Sequence, residues 1–384
     1  MPSLDRDYLH RRTLLKGGLL TLLAGPSSLA QAMSAPSKSR IPIIHTTDLY
    51  HPPQDPDDQF DLATVAALKE FDLKAVILDA THRFLVPKPE GWDIAREPGF
   101  VPVGQIGHIL GTDIPVAAGP IHPLEHPGDE ALPQEGDEDG GIRLLLDVLR
   151  DSIEPVVITA VGSARVITAA YNREPELMLK KTRAVVLNAG ATGGPKREWN
   201  VGLDTHAFVG LMRSRLPVHW YPCGTERSAF VRKHERGTYW KVPHAILFKD
   251  LPQRLRAYLE YGFTHSSDPD GLAALDSLGH GPAWEKILEG ERNMWSTASL
   301  VMAAGRVLAR TGKGWRFVAS AEQGDYETWP WRLDPISVDV SDDGKVDWSP
   351  GPESARVHLF GRQPDIEYGD AMAEALNALL REID

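Results

Sequence analysis

This chain has almost no cysteine: Cys223 stands alone among 384 residues, which excludes an internal disulfide. A lone thiol can be a nucleophile, but Cys223 closes Trp220-Tyr-Pro-Cys223 at the end of an expected strand and reads as a buried structural thiol. Apolar runs are short. No stretch reaches the roughly 20 residues that cross a bilayer, so no stable membrane insertion is expected after leader removal. Positive charge is also scarce. Lys and Arg number 41 against 53 Asp and Glu, a net charge of -12, which argues against a nucleic-acid partner. Internal repeats and low-complexity blocks are missing.

The N-terminal segment does not belong to the fold. His10-Arg-Arg-Thr-Leu-Leu-Lys16 carries paired arginines, Gly17 to Gly25 is a short apolar stretch, and Ala30-Gln-Ala32 is a small-x-small cleavage site. Residues 1–32 therefore read as a twin-arginine export signal rather than an amphipathic helix, and 33–40 as a polar linker. A bacterial protein exported to the periplasm or beyond is the expectation.

Residues 41–384 read as one domain. Val/Ile-rich runs at Ile41–His45, Lys74–Leu78, Ile114–Ala118, Val156–Val161, Ala184–Asn188 and Val218–Tyr221 alternate with helical patterns at Leu62–Phe71, Gly104–Leu110, Ile142–Leu149, Ala164–Tyr171 and Thr205–Met212. Strands buried on both faces and separated by helices predict an α/β fold, a doubly wound, mostly parallel sheet with helices on both faces. Pro42 suits a strand start or an edge better than a centre. Leu124–Gly141, polar and acidic, is either a flap over a site or a solvated loop. After Gly224 the pattern turns mainly helical, with Leu251–Tyr261 and Thr297–Leu308 amphipathic. Short strands follow at Arg316–Ala319, Ile336–Val340 and Arg356–Phe360, with a hairpin turn at Ser341-Asp-Asp-Gly344. Asp370–Leu380 closes the chain as a helix, and this C-terminal part is expected to cap the sheet.

The chemistry concentrates after the first strand. His45-Thr-Thr-Asp48, a Pro-rich insert and Asp55-Pro-Asp-Asp58 precede a helix. Asp48, Asp57 and Asp58 are thereby expected to meet at the carboxyl end of a buried strand, the edge where open α/β sheets bind ligands. Close carboxylates repel unless a cation lies between them, and calcium is the natural hard ion. The competing reading makes them turn and capping residues.

Four blocks in order resemble the inosine–uridine-preferring nucleoside hydrolases. They are Asp48 with Asp57-Asp58; Gly111-Thr-Asp-Ile-Pro-Val-Ala-Ala-Gly119; Val157-Ile-Thr-Ala-Val-Gly162 through Asn172-Arg-Glu-Pro175 and Val185-Val-Leu-Asn-Ala-Gly190; and Glu198-Trp-Asn200-Val-Gly-Leu-Asp204. The chain departs from the pattern in an insert between Asp48 and the Asp pair, and in Thr46 where the family has Asp. The resemblance implies a nucleoside hydrolase-like fold and cleavage of N-ribosyl bonds. It implies calcium held by Asp48, Asp58, the Val161 carbonyl and the Ser296 position. It implies Asp57 as general base taking a proton from a calcium-bound water, and Glu198, Asn200, His82, Asn188 and Trp295 about the substrate. At the last block Ser296 stands for a metal-binding Asp and Trp295 for a His near the leaving base. Asp55, Asp268 or Asp270 could supply the missing carboxylate.

An N-glycosidic bond breaks through an oxocarbenium-like transition state. That chemistry needs a carboxylate to deprotonate water, a metal to orient it, and polar groups to fix the sugar. His82 is either a pocket or a loop residue, Trp295 either a core anchor or a stacking partner, and His206 reads as surface. A non-catalytic binder of a sugar or nucleoside on the same fold is the alternative to a hydrolase. A phosphatase fits worse, because Thr-Thr-Asp48 lacks paired aspartates. The partner is a small nucleoside or N-glycoside, and a homo-oligomer is carried by analogy.

Overall fold

A computed structural model describes residues 39–52, 56–85, 91, 93–133, 139–194, 197–266 and 270–383. The leader therefore lies outside the described residues, as do Asp55 and Asp268. Arg40–Asp384 is one compact unit.

In chain order the strands are β1 (Ile41–Thr47), β2 (Phe71–Leu78), β3 (Val116–Ala118), β4 (Val156–Ala160), β5 (Thr182–Leu187), β6 (Val218–Trp220), β7 (Trp240–Pro243), β8 (Glu291–Met294), β9 (Arg306–Thr311), β10 (Gly314–Ala319), β11 (Glu327–Thr328), β12 (Trp331–Val340), β13 (Val346–Pro350) and β14 (Val357–Arg362). The helices are α1 (Asp57–Ala67), α2 (Phe100–Leu110), α3 (Gly140–Asp151), α4 (Arg165–Arg173), α5 (Pro175–Lys181), α6 (Trp199–Leu203), α7 (Thr205–Arg213), α8 (His244–Leu247), α9 (Gln253–Phe263), α10 (Ala274–Ser277), α11 (Pro282–Leu288), α12 (Thr297–Ala303) and α13 (Tyr368–Leu380).

The main sheet runs β13-β12-β14-β6-β5-β4-β1-β2-β3, and β12 alone is antiparallel to its neighbours. This is the expected α/β fold with a mostly parallel sheet. Strand order reverses between β1 and β4, and such a reversal opens a crevice at the carboxyl ends of those two strands. Alternate residues feed two cores. Ile43, Val76, Val157 and Val186 pack on one face against residues of α1, α9 and α13. Ile44, Ile77, Ile158 and Val185 pack on the other against residues of α3, α4 and α7. Each fully buried aliphatic side chain contributes roughly 1.5–3 kcal/mol.

Pro42 sits in a central strand, at its second residue, before pairing with β4 begins at Ile43. Its missing N–H therefore costs no ladder bond.

Several boundaries differ from the sequence reading. The helix expected over Leu62–Phe71 starts earlier and ends at Ala67, because Phe71 opens β2. Val161, Asn188 and Tyr221, read as strand ends, lie just beyond β4, β5 and β6. The helix expected over Thr297–Leu308 stops at Ala303: Gly305 takes a left-handed φ of 74° and β9 begins at Arg306. The middle region also contains an antiparallel pair, β7 with β8. The Ser341–Gly344 turn is found, closed by Gly344 N donating to Ser341 O at 2.9 Å.

The described part of the acidic loop is largely exposed and is also bonded to the body of the fold. Asn172 Nδ2 donates to the carbonyls of Pro127 and Asp129, and Arg173 Nε to that of Glu130, which fastens the loop onto α4. Residues 134–138 lie outside the described residues.

Candidate active site

The β1 edge is built from small hydrogen-bonding side chains. Thr46 Oγ1 donates to the Thr159 carbonyl at 2.8 Å, and His45 Nδ1 is bonded to Thr159 Oγ1 at 2.8 Å, which lock β1 to β4. The next residue, Asp48, is 5% exposed. Thr47 Oγ1 donates to Asp58 Oδ1 at 3.1 Å, drawing the first turn of α1 onto the strand end. Asp57 and Asp58 occupy that turn, where the helix dipole favours negative charge. Burial first, and then the charges of Asp58, Asp79 and Asp57, push the Asp48 carboxyl well above the usual carboxylate range. The three predicted acids therefore do share one electrostatic neighbourhood.

Asp79, which the sequence reading passed over, belongs to it. It follows β2, and its carboxylate accepts from Ser163 N at 2.6 Å and Ser163 Oγ at 2.9 Å. Burial raises its pKa against the opposing pull of Arg165 and Ser163. Arg165 is fully buried, 2.9 Å from Asp204 and 3.7 Å from Asp79, and donates to the carbonyls of Ala80 and Pro120. The first signal was available, since Asp79 directly follows a buried run. The reach of Arg165 was not, because it joins the loops after β2 and β3 to the α6–α7 junction.

Gly162 packs against this cluster. A Cβ there would lie 2.8 Å from Asp79 Oδ2 and 2.9 Å from Asp48 Cβ, so only glycine lets the strand ends approach this closely. The preceding Val161 carbonyl accepts a long contact from Asn200 Nδ2 at 3.5 Å, while the same amide donates to Asn188 O at 2.9 Å. The β4 edge thus joins the acids to the segment read as sugar-binding. Asn188 Oδ1 is buried with no hydrogen-bond partner.

Glu198 caps α6. Its oxygens accept from Asn200 N at 3.1 Å, Val201 N at 3.3 Å and Gly190 N at 2.8 Å. Burial raises its pKa, and these backbone donors work against that rise. The carboxylate is therefore first a cap, with lone pairs left over for a ligand.

His82 opens a short turn after β2, its ring centroid 5.4 Å from that of His122. Desolvation, then His122, Arg165 and Arg83, lowers its pKa, which favours the neutral ring. Trp295 packs with Tyr239 and Phe230 at centroid distances of 5.4 and 5.6 Å and donates its indole N–H to the Ala229 carbonyl. Ser296, 6% exposed, precedes α12. Asp270 accepts from Ala273 N in a surface turn.

Cys223 is buried, as expected, yet its surroundings are unexpected. Burial, then Glu198, Asp57, Asp61 and Asp48, pushes its thiol well above the ordinary value. The thiol thus senses both halves of the site. Its position after the carboxyl end of β6 was the available signal.

Among the described residues, no group of three or more His, Cys, Asp or Glu is arranged to hold a metal ion. A site with Asp48 and Asp58 as its carboxylates and neutral oxygens from Val161 and Ser296 falls below that count. The donors are still all hard oxygens, and a buried Asp48 facing Asp58 and Asp57 gains from a nearby cation. Two cavities of about 330 and 320 Å³ flank Glu198 and Asp204, and neither is lined by Asp48, Asp57 or Asp58.

No family model matches the chain. The fold is shared with solved structures. A type III effector protein, XopQ, complexed with adenosine diphosphate ribose, matches with TM-score 0.54 at 14% identity, covering 91% of this chain and 96% of that one. Effector protein XOO4466 matches with TM-score 0.53 at 13% identity, covering 91% of this chain and 95% of that one. In sequence, the chain is similar to ribonucleoside hydrolases. The pyrimidine-specific ribonucleoside hydrolase RihA of Escherichia coli is 27% identical over 198 residues, 46% of this chain and 58% of the relative. That of Salmonella paratyphi B is 26% identical over 200 residues, with the same shares. The match thus spans little more than half the length of these relatives.

Proposed function

We propose that this chain hydrolyses the N-glycosidic bond of a ribonucleoside or a related N-ribosyl compound. One observation carries the reading: buried Asp48 sits with Asp57 and Asp58 where strand order reverses, and Gly162 and Val161 link it to Asn200. Likeness to ribonucleoside hydrolases supports it.

Asp57, half-buried at the start of α1, takes the proton of the attacking water. A calcium ion held by Asp48, Asp58, the Val161 carbonyl and Ser296 would orient that water and lower its pKa. Glu198 and Asn200 hold the sugar hydroxyls through the carboxylate lone pairs and the amide oxygen left beyond their bonds to the backbone. Neutral His82, Asn188 with its free Oδ1, and Trp295 complete the wall. Electrons of the broken C–N bond leave with the base, and water oxygen joins the anomeric carbon.

The test is ribose release from a panel of nucleosides, with calcium and with chelator. Asp57→Asn is expected to lower turnover at least ~100-fold with the fold intact. Undiminished turnover in that variant sinks the base assignment, and calcium-independent release sinks the metal.

A second reading has its own observation. The Trp295 indole N–H is held by Ala229 O and does not serve a leaving group. On that reading the chain binds a ribosyl ligand without cleaving it, and Asp57→Asn leaves affinity unchanged where no turnover existed.

Export by the twin-arginine route is part of the proposal. Replacing Arg11 and Arg12 by Lys is expected to retain the protein in the cytoplasm, read by cell fractionation; unchanged export removes this assignment.

A further inference from the structure

Two arginines far apart in sequence line one cavity. Phe84 and Trp199 stack with centroids 6.0 Å apart and planes at 21°. This stack ties the turn after β2 to the start of α6 and brings Arg83 and Arg197, each one residue from a site residue, to a cavity of about 320 Å³. Pro123, Leu203, Asp204 and His206 complete most of its wall.

The charge balance of this cavity is unusual for an acidic chain. Arg83 lies over the Phe84 ring at 6.0 Å, and neither it nor Arg197 forms an ion pair among the described residues, although both are exposed. The acids on the wall are already engaged. Asp204 is bonded to Arg165, Leu124 N and Ala207 N, and Asp342 is 2.8 Å from Arg213. Two guanidinium groups thus line one concavity whose own acids are engaged by other arginines, while Arg197 also acts on Asp343 of the neighbouring cavity. Arg197 also lines the neighbouring cavity, together with Lys345 and the acids Glu198 and Asp343.

We propose that this cavity is an anion subsite in which Arg83 and Arg197 bind a phosphoryl group carried by the ribosyl ligand. Planar guanidinium groups match phosphate oxygens in paired hydrogen bonds. The proposal rests on the ribosyl reading above and narrows it: the favoured ligand is a ribosyl phosphate rather than an uncharged nucleoside. Glu198, adjacent to Arg197, would hold the sugar while Arg197 holds its anionic extension.

The test is calorimetric titration of the full chain with ribose, ribose 5-phosphate and inorganic phosphate at low and high salt. Ribose 5-phosphate is expected to bind about tenfold tighter than either of the others at low salt. Its advantage over ribose should fall with added salt and vanish in Arg83→Ala and Arg197→Ala. Both side chains are exposed, and an unchanged melting curve confirms that the variants fold. Ribose and ribose 5-phosphate binding equally well overturns the subsite while leaving the ribosyl reading in place. Inorganic phosphate matching ribose 5-phosphate, with ribose not binding, removes the link to the sugar and the ribosyl reading with it. Binding by none of the three overturns the subsite.

Discussion

Single side chains at this site do two jobs at once. Glu198 caps a helix and borders the proposed sugar position. Asp79 holds Ser163 and adds charge beside Asp48. Cys223 is raised by burial and by the surrounding acids Glu198, Asp57, Asp61 and Asp48. Alkylation by iodoacetamide at pH 8 is therefore expected to be slow in the native protein and fast in denaturant. Mass spectrometry of the modified fraction measures it, and rapid native labelling contradicts the burial described here. The acid trio stood out from residue type and order, whereas Glu198 and Asn200 were singled out by the family resemblance. Asp79 and Cys223 each follow a buried run, which marks them as strand-end residues, but their acidic setting depends on which strand ends lie side by side.

At the scale of elements, the sheet was readable and its borders less so. Val- and Ile-rich runs marked all six leading strands, since burial on both faces demands them. Helix ends were misread where a single residue decides: Gly305 ends α12 by its left-handed backbone, and Phe71 is taken by β2. The fastening of the acidic loop was not legible, because Asn172 and Arg173, which provide it, sit on α4. Arg165 performs the same service for the loops after β2 and β3 and for the α6–α7 junction. Replacing it by Gln leaves Asp204 buried opposite a neutral amide and should cost about 3–5 kcal/mol. Urea unfolding of Arg165→Gln measures the loss, and a change below about 1 kcal/mol rules out this role.

Across the whole molecule, acid sensitivity follows from buried histidines. Desolvation lowers His45 to about 3, and desolvation with His358 and Arg183 lowers His219 to about 4. The unfolded chain takes up these protons near the ordinary histidine value of 6.5, while the folded chain resists until far lower. The stabilisation is thus complete above about pH 6.5 and declines as pH falls toward the folded values, by roughly 2 kcal/mol for each histidine at pH 5. Asp48, Asp79 and Glu198, raised by burial, act with the opposite sign. The histidine contribution is isolated by comparing stability between pH 7.5 and 5 in the native protein and in His219→Gln. The variant should lose less on acidification, and parallel curves refute the assignment.

The main sheet ends bluntly on both sides. β3 is three residues long, and β13 finishes in Pro350, which has no N–H to offer. Exposed sheet edges invite strands from other molecules, and short or proline-bearing edges discourage them. Among the described residues, neither border of this sheet is a good template for another chain. A pair or tetramer of these molecules would then meet through helices and loops, and the strand ends that carry the acids would remain open to small molecules.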